Sequence, residues 1–361
     1  MPGLKLFIPG PTPVADQTLA AMMQPPMGHR TPQFSQLWAE VTAGVETLLG
    51  AGKVFLCSHP ATGLWEATVR NTVNQRCLNL VNGPFGATWH RVTRACGLPC
   101  EALEKDWGKA ILPADVDRAL SSGGFDVVTL VHNETATGVM SPLEDIARLL
   151  RDKYPDVLLH VDAVSSMAAV EIQVDSWGLD SCFASVQKAW SLPPGFSVCA
   201  VSERTIDRSA RQSDKGYFFD FEIYNKYYGR QQTPTTPSLP HIYGLRAILS
   251  DIQQEGLPAR YRRHKLMAER ARGWALDHGQ ELLAQPGFES VTLTAVRNVA
   301  VWDVDALSAA LQDRGYHMDR GYGRLKGETF RIAHMGAVSP PQLDEFLQAF
   351  DEVLLKEGQA S

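Results

Sequence analysis

Through roughly the first two-thirds of the chain, short apolar runs alternate with stretches whose apolar positions recur every three or four residues. The runs Val54–Ser58, Leu78–Val81, Asp126–His132, Val157–Asp162, Cys182–Val186 and Ser197–Ser202 read as strands. The intervals read as helices. In Pro142–Lys153, for example, Leu143, Ile146, Ala147 and Leu150 fall on one helical face. Strands alternating with helices predict an α/β fold, a mostly parallel sheet covered on both faces by helices. In such sheets ligands bind beyond the carboxyl ends of the strands.

A proline-rich stretch, Gln232–Pro240, breaks this pattern. Beyond it the sequence predicts a long helical region, His241–His278, interrupted at Gly256-Leu257-Pro258. Strands at Ser290–Thr294 and Val299–Trp302 follow, then a helix over Asp305–Gly315, a strand leading through Arg331, and a last helix, Pro340–Lys356. The Pro- and Gly-rich first dozen residues read as an extended arm. The expected organisation is an N-terminal arm (1–14), a large domain (15–257) and a small C-terminal α+β domain (258–361). No internal repeat or low-complexity segment is visible.

Composition narrows the function classes. The 361 residues carry 44% hydrophobic and 20% charged side chains and a net charge of −6, as in an ordinary soluble protein. Without a basic run, a nucleic-acid or anionic-membrane surface is not expected. The nearest approach, Arg260–Lys265, reads as a solvated helix face. No apolar stretch approaches the ~18 residues of a membrane span, and the N-terminus lacks the charged and apolar regions of a signal peptide. Six scattered cysteines read as free thiols in a reducing, cytoplasmic compartment. Cys96 and Cys100 lack a second ligand pair at finger spacing, so no metal site is expected.

Two residues bring in chemistry. Asp162 ends the apolar run Leu158-Leu159-His160-Val161, and Lys188 follows Ser185-Val186-Gln187 just ahead of a rigid Pro193-Pro194-Gly195 turn. A lysine becomes a nucleophile when its ammonium is desolvated. A carboxylate at a strand end can keep a pyridine nitrogen protonated. Lysine for the Schiff base plus a carboxylate for the ring nitrogen is what pyridoxal 5′-phosphate requires.

Around these two residues, Val161-Asp162-Ala163-Val164-Ser165-Ser166 and Ser185-Val186-Gln187-Lys188-Ala189 resemble the class V aminotransferases of pyridoxal phosphate fold type I. The resemblance runs from Pro9-Gly10-Pro11-Thr12-Pro13 to Arg331-Ile332-Ala333-His334-Met335-Gly336. It implies an aminotransferase passing an amino group between a small L-amino acid (alanine or serine) and a small 2-oxo acid (glyoxylate or pyruvate). Phosphoserine transamination is the alternative within the family. A desulfurase is disfavoured, because no cysteine follows Cys199. A non-enzymatic cofactor-binding protein is the third possibility, expected to lack Lys188 or Arg331.

The resemblance also implies roles. Lys188 and Asp162 are the catalytic pair. Ala61 and Thr62, at a strand-to-helix turn, would cradle the phosphate, although an ordinary helix start reads the same way. Phe85 would stack on the cofactor ring or simply fill core. Thr135 would lie near the phenolic oxygen, and Gln187 would reach the phosphate. Thr236 would touch the phosphate of a neighbouring subunit, making a homodimer with composite sites, while Thr233–Pro240 also reads as a rigid linker. Arg331 would clamp the substrate α-carboxylate through its planar fork. His29 and Arg30 match a pair that binds a substrate phosphate in some relatives and is present in others without that role.

Overall fold

The computed structural model describes residues 3–357. Its centre is a seven-stranded sheet built from β1 (Val54–Cys57), β2 (Cys77–Val81), β3 (Cys100–Glu104), β4 (Val127–Val131), β5 (Leu158–Asp162), β6 (Ser181–Ser185) and β7 (Ser197–Val201). The strands lie in the order β1-β7-β6-β5-β4-β2-β3, all parallel except β7, which runs antiparallel to both neighbours. This is the expected α/β fold. The strands at β1, β2, β4, β5, β6 and β7 are buried along their whole length, which is why they read as unbroken apolar runs. β3 was not visible in the sequence. As the edge strand Cys-Glu-Ala-Leu-Glu, it is only partly covered and carries charge at two of five positions.

Helices supply the covering layers. In Pro32–Leu49 the buried residues Phe34, Leu37, Trp38, Val41, Val45, Leu48 and Leu49 form one face against the sheet. Thr31 starts this helix by accepting the Phe34 N–H, Pro32 occupies the first turn, and Gly50 ends it in the left-handed conformation (φ 54°). The region after the proline-rich stretch forms two helices, Leu239–Glu255 and Leu257–Asp277, parted at Gly256 (φ 77°).

A smaller sheet contains β8 (Leu293–Arg297) paired antiparallel with β9 (Thr329–Ala333). It packs with the helices Leu257–Asp277, Val304–Asp313 and Pro340–Glu357 around Phe330, Phe346 and Phe350. Two expectations need correction here. The strand expected at Ser290–Thr294 begins later, because Ser290 Oγ accepts the N–H groups of Thr292 and Leu293 in a local turn. Val299–Trp302 is not a strand: Asn298 bonds both the N–H and the C=O of Trp302, closing a loop in which Val301 is exposed at φ 57°.

The N-terminal arm is more engaged than its composition suggests. Lys5–Phe7 pairs in parallel with Tyr316–Met318, and Phe7 stacks on Phe346 with ring centroids 4.1 Å apart. Arg260–Lys265 is only in part a solvated face: Arg262 and Lys265 are exposed, the other residues are not. Arg260 and His264 are buried, with Arg260 donating to Ala168 O (2.6 Å) and Ala189 O (2.8 Å).

Candidate active site

The sheet brings the chemistry-bearing residues to one edge. Cys57, Ser197 and Ser185 pair across β1, β7 and β6, while Asp162 pairs with Phe183 and with Val131. The carboxyl ends of β1, β4, β5 and β6 therefore meet at one level, and Ala61, Thr135, Asp162 and Lys188 lie at or just beyond them.

Asp162 is buried at the end of β5. Its Oδ1 accepts the Val164 N–H (2.9 Å) and its Oδ2 accepts the Trp65 indole N–H (2.7 Å). Burial pushes the carboxyl up to about 6, against the pull of these two bonds and of the Lys188 charge. Lys188 Nζ donates to two neutral hydroxyls, Thr135 Oγ1 (3.1 Å) and Ser165 Oγ (3.0 Å). Burial, followed by the Arg331 charge, lowers its amine to about 8, so an uncharged nucleophile is accessible near neutral pH. The lysine backbone is clamped. Thr12 Oγ1 donates to Lys188 O (2.8 Å), Thr12 N–H donates to Gln187 O (3.0 Å), and a Cβ on Gly10 would lie 3.4 Å from Lys188 Cγ and Cε.

Arg331, buried on β9, reaches the same place. Its Nη1 donates to Thr135 O (2.9 Å), so Thr135 touches both the lysine and the arginine. Phe85 opens the helix Pro84–Ala95, with Lys188 Nζ 5.6 Å from its ring centroid. Glu134 fixes that helix start by accepting the N–H groups of Phe85 (3.0 Å) and Gly86 (3.3 Å). Ala61 precedes the helix Thr62–Thr72 and donates its N–H to Ser185 Oγ (2.6 Å). The Thr62 N–H belongs to the first turn, whose donors have no partner within the helix.

Lys188, Asp162, Thr135, Phe85 and Arg331 are thus assembled around one centre. His29, Arg30 and Thr236 form a separate group. Arg30 donates to Thr233 O (2.7 Å) and Pro234 O (3.2 Å) and packs on the Tyr227 ring, Thr236 is exposed, and none of them bonds to the Lys188 cluster within the chain. Trp65, Ser165, Ser185, Glu134 and Asp319, which bonds Arg331, join the site without having a role assignable from sequence alone. Ser165 lies inside the Val161–Ser166 run, and a tryptophan one turn after a strand-to-helix junction is the sequence signal for Trp65.

The class-V aminotransferase family profile matches residues 86–318. The chain belongs to the class V aminotransferase family. It is 31% identical to the serine–glyoxylate aminotransferase of Methylorubrum extorquens, over 92% of this chain and 86% of that one. It is 32% identical to a Synechococcus protein named as the small subunit of a soluble hydrogenase, over 98% and 93%. The fold superimposes on the alanine–glyoxylate aminotransferase of Nostoc sp. with a TM-score of 0.91, at 28% identity and 98% and 96% coverage. The chain is an aminotransferase of fold type I, and its cofactor is pyridoxal phosphate.

The residues present suit that cofactor. Beside Lys188, the Gln187 side chain is buried and its Oε1 has no hydrogen-bond partner in the chain; toward a phosphate, which only accepts, the amide would have to present its N–H₂ edge. Burial raises the Asp162 carboxyl and lowers the Lys188 amine, perturbations that are common where a ligand site is built. Among the described residues no cluster of histidine, cysteine or acidic side chains could hold a metal, and no helix is long and apolar enough to cross a membrane.

Proposed function

We propose that this aminotransferase exchanges an amino group between alanine or serine and glyoxylate or pyruvate, with Lys188, Asp162 and Arg331 as its working residues. The observation that carries the reading is the Lys188–Thr135–Arg331 chain, in which one threonine bonds both the amine and the guanidinium. Bound pyridoxal phosphate supplies an electron sink for the charge left at the substrate Cα. Asp162 holds a proton at the ring nitrogen. Ala61, Thr62 and Gln187 bind the phosphate, and Phe85 covers the ring face. Arg331 grips the α-carboxylate and so orients the Cα–H bond toward the lysine. The Lys188 amine, neutral once its site is occupied, takes the proton from Cα.

The serine–glyoxylate relative and the alanine–glyoxylate structural neighbour support small uncharged donors, while a relative 31% identical is named L-aspartate–glyoxylate aminotransferase, so aspartate belongs among the donors compared. The place of action is the cytoplasm. His29, Arg30 and Thr236 belong to a surface that completes the site of a second subunit in a homodimer, where Thr236 meets the partner's phosphate. A panel of amino donors and oxo-acid acceptors, followed by stopped-flow absorbance of the bound cofactor, tests the reading. Alanine or serine with glyoxylate or pyruvate should give the fastest half-reactions. A clear preference for phosphoserine would overturn it.

A further inference from the structure

Asp319 lies outside the sequence runs that carry the family resemblance, yet it meets Arg331, the proposed substrate clamp, more closely than any other residue. Its Oδ1 accepts from Arg331 Nε and its Oδ2 from Arg331 Nη2, both at 2.7 Å. The carboxylate is held in that position. Gly321 N–H donates to Oδ1 at 2.9 Å, and Arg331 N–H donates to the Asp319 carbonyl at 3.1 Å. Gly321 adopts φ +88°, and a Cβ there would lie 2.6 Å from Leu325 O and 2.7 Å from Thr329 O, so the turn that fixes Asp319 requires glycine.

Three of the five guanidinium N–H groups are therefore engaged, two by Asp319 and one by Thr135 O. One remains on each terminal nitrogen. That is enough for a single carboxylate, which then lies beside the Asp319 charge. A second anionic group in the same pocket would find no further donor on Arg331. The wall nearby is uncharged, since Tyr322 stacks on Phe85 with centroids 5.4 Å apart and lies 5.5 Å from the Arg331 guanidinium. The other arginines of this loop are committed elsewhere. Arg320 pairs with Asp305, and Arg324 lies 3.7 Å over Trp107, lining a separate cavity with Asp106, Arg297 and Glu328. The field of Asp319 also reaches Lys188, where it opposes the lowering of the amine.

We propose that Asp319 is a specificity-determining residue that restricts the site to substrates with one carboxylate and rejects dicarboxylic and phosphorylated amino acids. The inference rests on Arg331 as the carboxylate clamp and names the substrate class that the clamp accepts. Like-charge repulsion across a few ångströms in a partly buried site is strong enough to set such a preference.

The test titrates the holoenzyme with propanoate and with succinate, an unreactive monocarboxylate and dicarboxylate, following the absorbance of the bound cofactor. Asp319→Asn should raise the succinate-to-propanoate affinity ratio by about tenfold or more. Asp319→Glu, which restores the charge, should return the ratio toward the wild-type value. An unchanged ratio in Asp319→Asn, with both affinities falling together, would mean that Asp319 only braces Arg331 and would overturn the proposal. If Asp319→Asn fails to fold, Asp319→Ser is measured in the same way. Failure of the wild-type enzyme to convert alanine or serine with glyoxylate would instead refute the proposed reaction, and the two carboxylate titrations do not depend on it.

Discussion

At the Asp162 carboxyl, folding and chemistry pull in opposite directions. Its folded pKa of about 6 lies above the ordinary 3.8, so the folded chain holds this proton more tightly than the unfolded chain does. The stability that follows is fully present below pH 3.8 and is lost as pH rises from there through about 6. At pH 8 the buried charge is a net cost. Asp162→Asn removes that charge while keeping one acceptor for Trp65 or Val164, and should stabilise the cofactor-free protein by about 2 kcal/mol. In the role proposed for Asp162, the same substitution would take away the group that keeps the ring nitrogen protonated, and turnover should fall by ~10²–10³. Urea unfolding of the cofactor-free variant at pH 8, beside its half-reaction rate, checks both halves. A variant that is less stable and fully active would contradict the assignment on both counts.

Among elements, the loops around Lys188 are built to tolerances that a single methyl group would break. Gly336, at φ 70°, lies where a Cβ would come 2.0 Å from Ser191 Oγ and 3.0 Å from Lys188 O. Gly336→Ala should therefore cost about 3 kcal/mol or more, read as a lowered urea midpoint. An unchanged midpoint would show that the loop can yield. Elements of this kind were legible in the sequence where burial wrote them as apolar runs: β2, β4, β5 and β6 announced themselves, and with them Asp162 and Lys188 at their ends. What stayed hidden depends on contacts between distant segments. β3 is a charged edge, Arg260 looks like surface until its fork is seen to hold Ala168 O and Ala189 O, and Asp319 faces Arg331 only through a strand-to-strand bridge. Phe7 reads as part of a loose arm because its partner Phe346 lies near the other end of the chain.

In the whole molecule, we propose the division into an arm (1–14), a large domain (15–257) and a small domain (258–361). It is supported by the separate apolar clusters around Trp38 and Phe196 and around Phe330 and Phe350. The active site draws on all three parts, through Thr12, Lys188 and Arg331. We propose a fourth contribution, Thr236 from a second subunit, which would make a two-fold dimer the functional unit. Mixing Lys188→Ala with Thr236→Glu subunits, each inactive alone, should recover about a quarter of wild-type activity, because each mixed dimer holds one intact site. No recovery despite subunit exchange would place Thr236 outside the partner's site. Lys188 is, above all, the residue proposed to take the cofactor. Borohydride reduction of the yellow holoenzyme, followed by digestion and mass spectrometry, should fix pyridoxal phosphate to the peptide containing Lys188, and label found on any other lysine would contradict it.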